Sequence, residues 1–229
     1  MAKIQRGIFR NIWNLPNVLT MFRVFMIPFV LWLIYLSEFY PGNPEDSVAA
    51  TLEESKTYCW WAFLLFSLAA ITDFFDGYLA RRAKLVTMFG KFLDPLADKL
   101  IVMAALVGLV ELGRVPSWIV ILILLRELSI NGLRALAMAE GLTINVINAG
   151  KWKTAFQLFG IGCLIIHYTY PLPLLPGADT LDFHLLGLFF LVVSLVFSLG
   201  SAASYIRMMV KAVEQKNREA TEPQESCED

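Results

Sequence analysis

Charge is scarce in this sequence. Asp, Glu, Lys and Arg supply only 17% of its 229 residues, against about 25% in a soluble domain, too few to coat a water-facing surface. A basic excess is missing as well. Nineteen Lys and Arg against twenty Asp and Glu leave a net charge of −1, which excludes a protein that holds a nucleic-acid backbone by charge. Three cysteines are too few for a disulfide scaffold. Cys59, Cys163 and Cys227 have no metal-ligand spacing and read as small core residues and a tail thiol. His167 and His184 fall near one side, far from the other polar candidates. Internal repeats and alternating ten-residue strands are absent too, and the latter excludes a β-barrel.

What is abundant is apolar. Hydrophobic residues make up 57% of the chain and mean hydropathy is +0.60, which removes disorder and collagen from consideration. A bilayer span needs about 20 mostly apolar residues. Six runs qualify: 19–36, 58–78, 93–110, 118–138, 152–170 and 183–209. The expected fold is an all-α polytopic membrane protein of six transmembrane helices, with Trp118 and Trp152 as interfacial anchors.

Basic residues orient it. Only Lys56 and Arg114 fall in the connections after the first and third runs, and the connection after the fifth has none. The other 17 of the 19 lie on the opposite side, which places both termini in the cytoplasm. Residues 1–13 put Ile4, Ile8 and Ile12 on one stripe and Lys3, Arg6 and Arg10 on another, the pattern of an interfacial amphipathic helix. A cleaved signal peptide competes for that segment, but Arg23 interrupts the following apolar run and no small-residue cleavage site appears. The acidic connection 37–57, with Pro41-Gly42-Asn43-Pro44, reads as an external loop. The six-helix transmembrane domain then spans 14–211, and 212–229 reads as an acidic, disordered tail.

One stretch violates the rules for a lipid-facing helix. Between Ile71 and Lys99 lie Asp73, Asp76, Asp94 and Asp98, and each charge at bilayer depth costs about 2.5–3.5 kcal/mol on insertion scales. Asp73 and Asp76 are i,i+3, with Gly77 and Ala80 continuing their stripe. Gly90, Asp94 and Asp98 are i,i+4,i+8 on the next helix. Pro95 fits if residues 91–94 form that helix's first turn. A short connection makes the two helices antiparallel neighbours, so both carboxylate pairs converge, and the small residues allow close approach. Clustered carboxylate oxygens without Cys or His suit Mg²⁺ or Mn²⁺, and four of them suffice for two ions. Arg81, one turn from Gly77, is placed to neutralise nucleotide phosphates. Two other readings compete: a salt-bridge network of Asp73 or Asp76 with Arg81 and of Asp98 with Lys84 or Lys91, and a cation or proton pathway. Transporters place such groups near the midplane and usually carry repeats, whereas these acids gather toward one face.

The pattern D-x2-D-G-x2-A-R-x8-G-x3-D-x3-D is met by Asp73, Asp76, Gly77, Ala80, Arg81, Gly90, Asp94 and Asp98. It resembles the signature of the CDP-alcohol phosphotransferases, six-span enzymes of phospholipid synthesis, and the resemblance extends from about Asn14 to Lys211. It implies a homodimer in a lipid bilayer, with Asp73, Asp76, Asp94 and Asp98 ligating two Mg²⁺ or Mn²⁺ ions and Asp98 as general base. The family's nucleotide-lipid contacts fall on Asn17, Thr20, Gly77, Arg81 and Thr87; Asn17 and Thr20 equally suit the cap of the first helix.

Three looser segments, 14–23 followed by Pro28, 126–134 and 150–154, resemble the branch that transfers a phosphatidyl group from CDP-diacylglycerol to sn-glycerol 3-phosphate. Sister enzymes that use inositol phosphate or another alcohol stand beside it. An acceptor phosphate needs cations, and Arg126, Arg134 and Lys151 are assigned to it. Glu127 offers Arg126 a purely structural pairing instead, and Lys151 and Lys153 also serve as topology signals.

Overall fold

Apolar runs without strand alternation become helices in the computed structural model, which describes residues 15–39, 48–83, 88–140, 150–171 and 180–221. Six helices account for nearly all of them: α1 Leu15–Phe39, α2 Val48–Ala83, α3 Met88–Glu111, α4 Ser117–Ala139, α5 Gly150–Ile166 and α6 Phe183–Thr221. A two-stranded antiparallel ladder, β1 Thr169–Tyr170 with β2 Leu181–Asp182, joins α5 to α6. The amphipathic segment 1–13 lies outside the described residues.

The helices differ from the sequence expectation at their ends. α2 begins at Val48, ten residues inside the stretch read as a loop, because Ala49, Ala50, Leu52, Glu53, Glu54 and Lys56 are mostly good helix formers and Glu53 pairs with Lys56 at i,i+3. α6 runs to Thr221, ten residues into the segment read as a disordered tail. Its Lys, Glu, Gln and Ala residues have high helix propensity, and Lys216 binds both the carboxylate and the backbone carbonyl of Glu140 at the end of α4. α3 begins at Met88, so Pro95 is its eighth residue rather than part of its first turn. There it removes one rung from the backbone ladder. α5 stops at Ile166, four residues early, where His167 takes a positive φ of 63°, the left-handed conformation that often closes a helix.

α5 packs on α6, α1 on α2 and α3, α2 on α5, and α4 on α6. Their shared interior is apolar, built from Val30, Ile34, Phe66, Leu106, Leu109, Ile123, Ile161, Leu164 and Leu191. The outside is apolar as well: Phe25, Trp32, Leu125, Leu128, Phe189 and Val196 are each more than half exposed. Among the described residues, two helical segments are long and apolar enough to cross a membrane, Met21–Glu38 and Phe183–Lys216, and only 22% and 33% of their windows are buried. Core helices of a soluble protein hide their apolar surface; these present it to the surroundings, as a lipid solvent requires.

At one end of the bundle the helices are tied by Arg114, buried in the turn between α3 and α4. Its guanidinium donates to the Ile165 carbonyl (3.0 Å), Ser37 Oγ (3.0 Å), Glu38 Oε2 (3.2 Å) and Cys59 Sγ (3.7 Å). The last turns of α1 and α5 are thereby joined to α2. Beside this clamp the histidines meet each other, Nδ1 to Nδ1 at 3.1 Å. Asp182 caps α6, its Oδ1 accepting the backbone N–H groups of His184 and Leu185.

The α5–α6 contact depends on two glycines. A Cβ on Gly187 would lie 2.6 Å from Leu164 Cγ and 2.9 Å from the Gly160 carbonyl, and one on Gly160 would lie 3.0 Å from the Gly187 carbonyl. Two helix backbones can touch only where such residues stand. Gly187→Ala is expected to destabilise the protein by about 1–3 kcal/mol through overpacking. Gly132→Ala, at a helical site with nothing within 4 Å, should be neutral or stabilising by up to about 1 kcal/mol. Thermal unfolding of the two variants in detergent checks this, and a Gly187 variant as stable as the Gly132 variant would refute the close-contact account.

Candidate active site

The signature occupies the end of the bundle opposite Arg114. Asp73, Asp76, Gly77, Ala80 and Arg81 fall on the last turns of α2, and Gly90, Asp94 and Asp98 on the first turns of α3. Only the four residues 84–87 separate Ala83 from Met88, so the two helix ends are at most about 18 Å apart. Helical register is continuous through both segments, which keeps Asp73 with Asp76, and Asp94 with Asp98, on one stripe each. This is the arrangement the spacing predicts for the backbone. The side chains of 73–98, and all of Thr87, lie outside the described residues. As a donor set, four carboxylates on two adjacent helix ends are the hard oxygen ligands that Mg²⁺ or Mn²⁺ prefers. Asn17 and Thr20 are the third and sixth residues of α1, so neither is its N-cap and the capping alternative falls.

One residue beyond Asp98, α3 presents Lys99, and here the side chains are described. Lys99 Nζ donates to Glu127 Oε2 at 2.5 Å. Lys153 of α5 donates to Glu127 Oε1. Arg126 of α4 donates from Nη1 to the same Oε1 at 3.1 Å and from Nε to the Ser198 carbonyl of α6 at 3.0 Å. Ser194 Oγ, one turn earlier on α6, donates to the Lys153 carbonyl at 3.0 Å. A single carboxylate therefore gathers cations from α3, α4 and α5, and one of those cations reaches α6. The layer is enclosed: the Arg126 and Lys153 side chains are each 9% exposed and Glu127 14%, with Lys99 the most open at 30%.

Of the residues assigned to an acceptor phosphate, the structure places Arg126 in this layer. Arg134, eight residues along α4 and so about 12 Å further along its axis, instead lies over the Tyr205 ring with 5.9 Å to its centroid, a cation–π contact. Lys151 opens α5, and its side chain is not among those described. The Arg126–Glu127 pairing that competed with a binding role is present, but it is one arm of a larger assembly. Lys99, read from sequence only as a topology signal, and Lys153, for which topology competed with an acceptor role, are its other arms. The available sign was positional: a lysine inside or one turn into an apolar run needs an acid, and Glu127 lies within such a run on the helix between them.

A helical bundle with outward apolar faces, an acidic helix pair at one end and a cationic layer beside it suits a ligand that is part lipid and part polyphosphate. The chain belongs to the CDP-alcohol phosphatidyltransferase family, whose model matches residues 13–200. It is 41% identical over 169 residues to the CDP-diacylglycerol–glycerol-3-phosphate 3-phosphatidyltransferase of Bacillus subtilis, covering 73% of this chain and 84% of that one. It is 39% identical over 153 residues to the protein of the same name in Rickettsia typhi, covering 67% and 76%. It is 38% identical over 162 residues to a probable phosphatidylglycerophosphate synthase of Mycobacterium tuberculosis, covering 71% and 70%.

Burial ranks the arms of the cationic layer. Lys153 is more enclosed than Lys99, and a pair screened less by water couples more strongly. Double-mutant cycles on unfolding in detergent are expected to give a Lys153–Glu127 coupling of about 1–3 kcal/mol and a smaller Lys99–Glu127 coupling. Equal couplings would mean that water reaches both arms alike.

Proposed function

We propose that this chain transfers the phosphatidyl group of CDP-diacylglycerol to sn-glycerol 3-phosphate, forming phosphatidylglycerophosphate and CMP. The observation that carries the reading is the complete eight-position signature on two adjoining helix ends within a chain that is 41% identical to a transferase of that name. The protein would span a bilayer six times as a homodimer, with its catalytic end and both termini in the cytoplasm. The 17-to-2 division of basic residues and the apolar outer faces of the helices support that placement.

In this reading the lipid tails of the donor stay in the bilayer while its CDP group enters between α1, α2 and α3. Asn17, Thr20, Gly77, Arg81 and Thr87 bind it, with Gly77 leaving room for a nucleotide against α2 and Arg81 adding charge-assisted bonds to phosphate. Asp73, Asp76, Asp94 and Asp98 would hold two Mg²⁺ or Mn²⁺ ions, which when bound stabilise negative charge on the diphosphate. Asp98 takes the proton of the acceptor's 1-hydroxyl as its oxygen attacks the lipid-proximal phosphorus. A new P–O bond forms as the bond to CMP breaks, and CMP leaves with the electron pair. Arg126, Arg134 and Lys151 receive the acceptor's phosphate, joined by Lys99 and Lys153, whose ammonium groups share the Glu127 carboxylate with Arg126.

Purified protein in detergent is expected to release CMP from CDP-diacylglycerol with sn-glycerol 3-phosphate, and not with serine or inositol phosphate. A chelator should abolish release and added Mg²⁺ or Mn²⁺ restore it. Asp98→Asn, which keeps the shape but removes the base, should lower kcat by about 10²–10⁴-fold. Release with another acceptor would transfer the reading to a sister activity, and silence from folded protein would overturn it. Arg134→Ala should raise the KM for sn-glycerol 3-phosphate far more than that for the nucleotide-lipid; equal rises would remove Arg134 from the acceptor site.

A further inference from the structure

Glu127 has no place in the reaction just described, yet it is the described carboxylate on which all three cations of the layer end. Lys99, Arg126 and Lys153 come from three different helices, and like charges on long side chains disperse unless an anion collects them. Glu127 collects them: Lys99 reaches Oε2, and Lys153 and Arg126 reach Oε1. The carboxylate is also supported from behind, because Arg126 is anchored through Nε to the Ser198 carbonyl. Among the described side chains, three cations and one carboxylate leave the layer at +2, the complement of a phosphate monoester dianion. Each lysine gives one N–H to Glu127 out of three, so donors remain for a second anion.

We propose that Glu127 is a positioning residue for the acceptor: it touches the cations rather than the substrate, and holds them together before the phosphate arrives. The inference rests on the reading that the acceptor's phosphate binds at this layer. Its physical content is preorganisation. A phosphate that meets assembled donors does not have to draw three repelling side chains together out of its own binding free energy. Loss of the bridge therefore acts on acceptor affinity and leaves the nucleotide-lipid, held on α1, α2 and the acidic helix ends, largely untouched.

The test is CMP release by the full-length protein in detergent, with KM and kcat measured for both substrates in Glu127→Gln, Glu127→Asp, Arg126→Gln and Lys153→Gln. Glu127→Gln is expected to raise the KM for sn-glycerol 3-phosphate by about 10–100-fold, the effect of losing a charge-assisted interaction. The KM for CDP-diacylglycerol and kcat should stay within about threefold, a change worth under 1 kcal/mol. Glu127→Asp keeps the charge one methylene short and should recover most of the loss. An unchanged or lowered acceptor KM in Glu127→Gln, equal rises for both substrates, or an aspartate variant no better than the glutamine would each overturn the proposal. If Arg126→Gln and Lys153→Gln leave the acceptor KM unchanged, the acceptor-site reading itself fails; if they raise it and Glu127→Gln does not, only the positioning role fails. Should Glu127→Gln not fold, Glu127→Asp decides alone, with a rise of about 3–10-fold in the acceptor KM and none in the donor KM expected, and wild-type values overturning it.

Discussion

Every charge inside this bundle has to find its partner inside the bundle. That constraint comes from the outer faces, where Phe25, Trp32, Leu125, Leu128, Phe189 and Val196 stand exposed and offer no polar partner to a side chain that turns outward. An unpaired cation under those conditions costs more than one apolar contact returns. Among the described residues, much of the buried charge gathers in two layers, with Arg23 of α1 buried as well, and the packing around them is apolar. Arg114 forms one layer and Glu127 the other.

The two layers work in opposite ways. Arg114 is a single cation served by neutral acceptors and one carboxylate: a backbone carbonyl, a hydroxyl, a thiol and Glu38. Its guanidinium geometry suits several partners at once, and a lysine there would reach fewer of them. That layer closes the turn between α3 and α4 over the ends of α1 and α5. Around Glu127 the proportions are reversed, with one anion among three cations. A layer built only for stability would balance its charges, because buried pairs at best break even against apolar packing. Among the described side chains the surplus of two positive charges, beside an acidic helix pair, is what the proposed acceptor site would need to receive an anion.

The acidic signature was legible in the sequence because its spacing is rigid: i,i+3 on one helix and i,i+4 on the next fix a face whatever the surroundings do. Helix locations were legible for the same reason, since an apolar run of about 20 residues has few alternatives in a bilayer. Ends were harder. Val48–Thr57 and Ala212–Thr221 are polar, and composition alone does not separate a solvated loop from a solvated helix; the Glu53–Lys56 pair and the Lys216–Glu140 contact favour helix there. The cationic layer was the least legible part. Lys99 and Lys153 follow the rule that places basic residues on one side of a membrane, and that rule says nothing about which of them turn inward. Glu127 was visible as a partner of Arg126, but its reach to two lysines needs α3, α4 and α5 side by side.

That side-by-side packing would also let the proposed donor and acceptor sites adjoin without sharing residues. α3 carries Asp94 and Asp98 on one stripe, and Lys99, the next residue, is turned about 100° around the same axis. One helix thus carries the position of the proposed general base and, on a different stripe, a cation of the Glu127 layer. In the proposed reading, an acceptor whose phosphate rested on the cations would have its hydroxyl end directed by the same helix that carries Asp98, so the distance between base and phosphate site would be set by helix geometry rather than by loop conformation. Errors of 1 Å in such placements are expensive to catalysis, and a continuous helix tied through Lys99 to Glu127, and through Glu127 to α4 and α5, leaves little room for them.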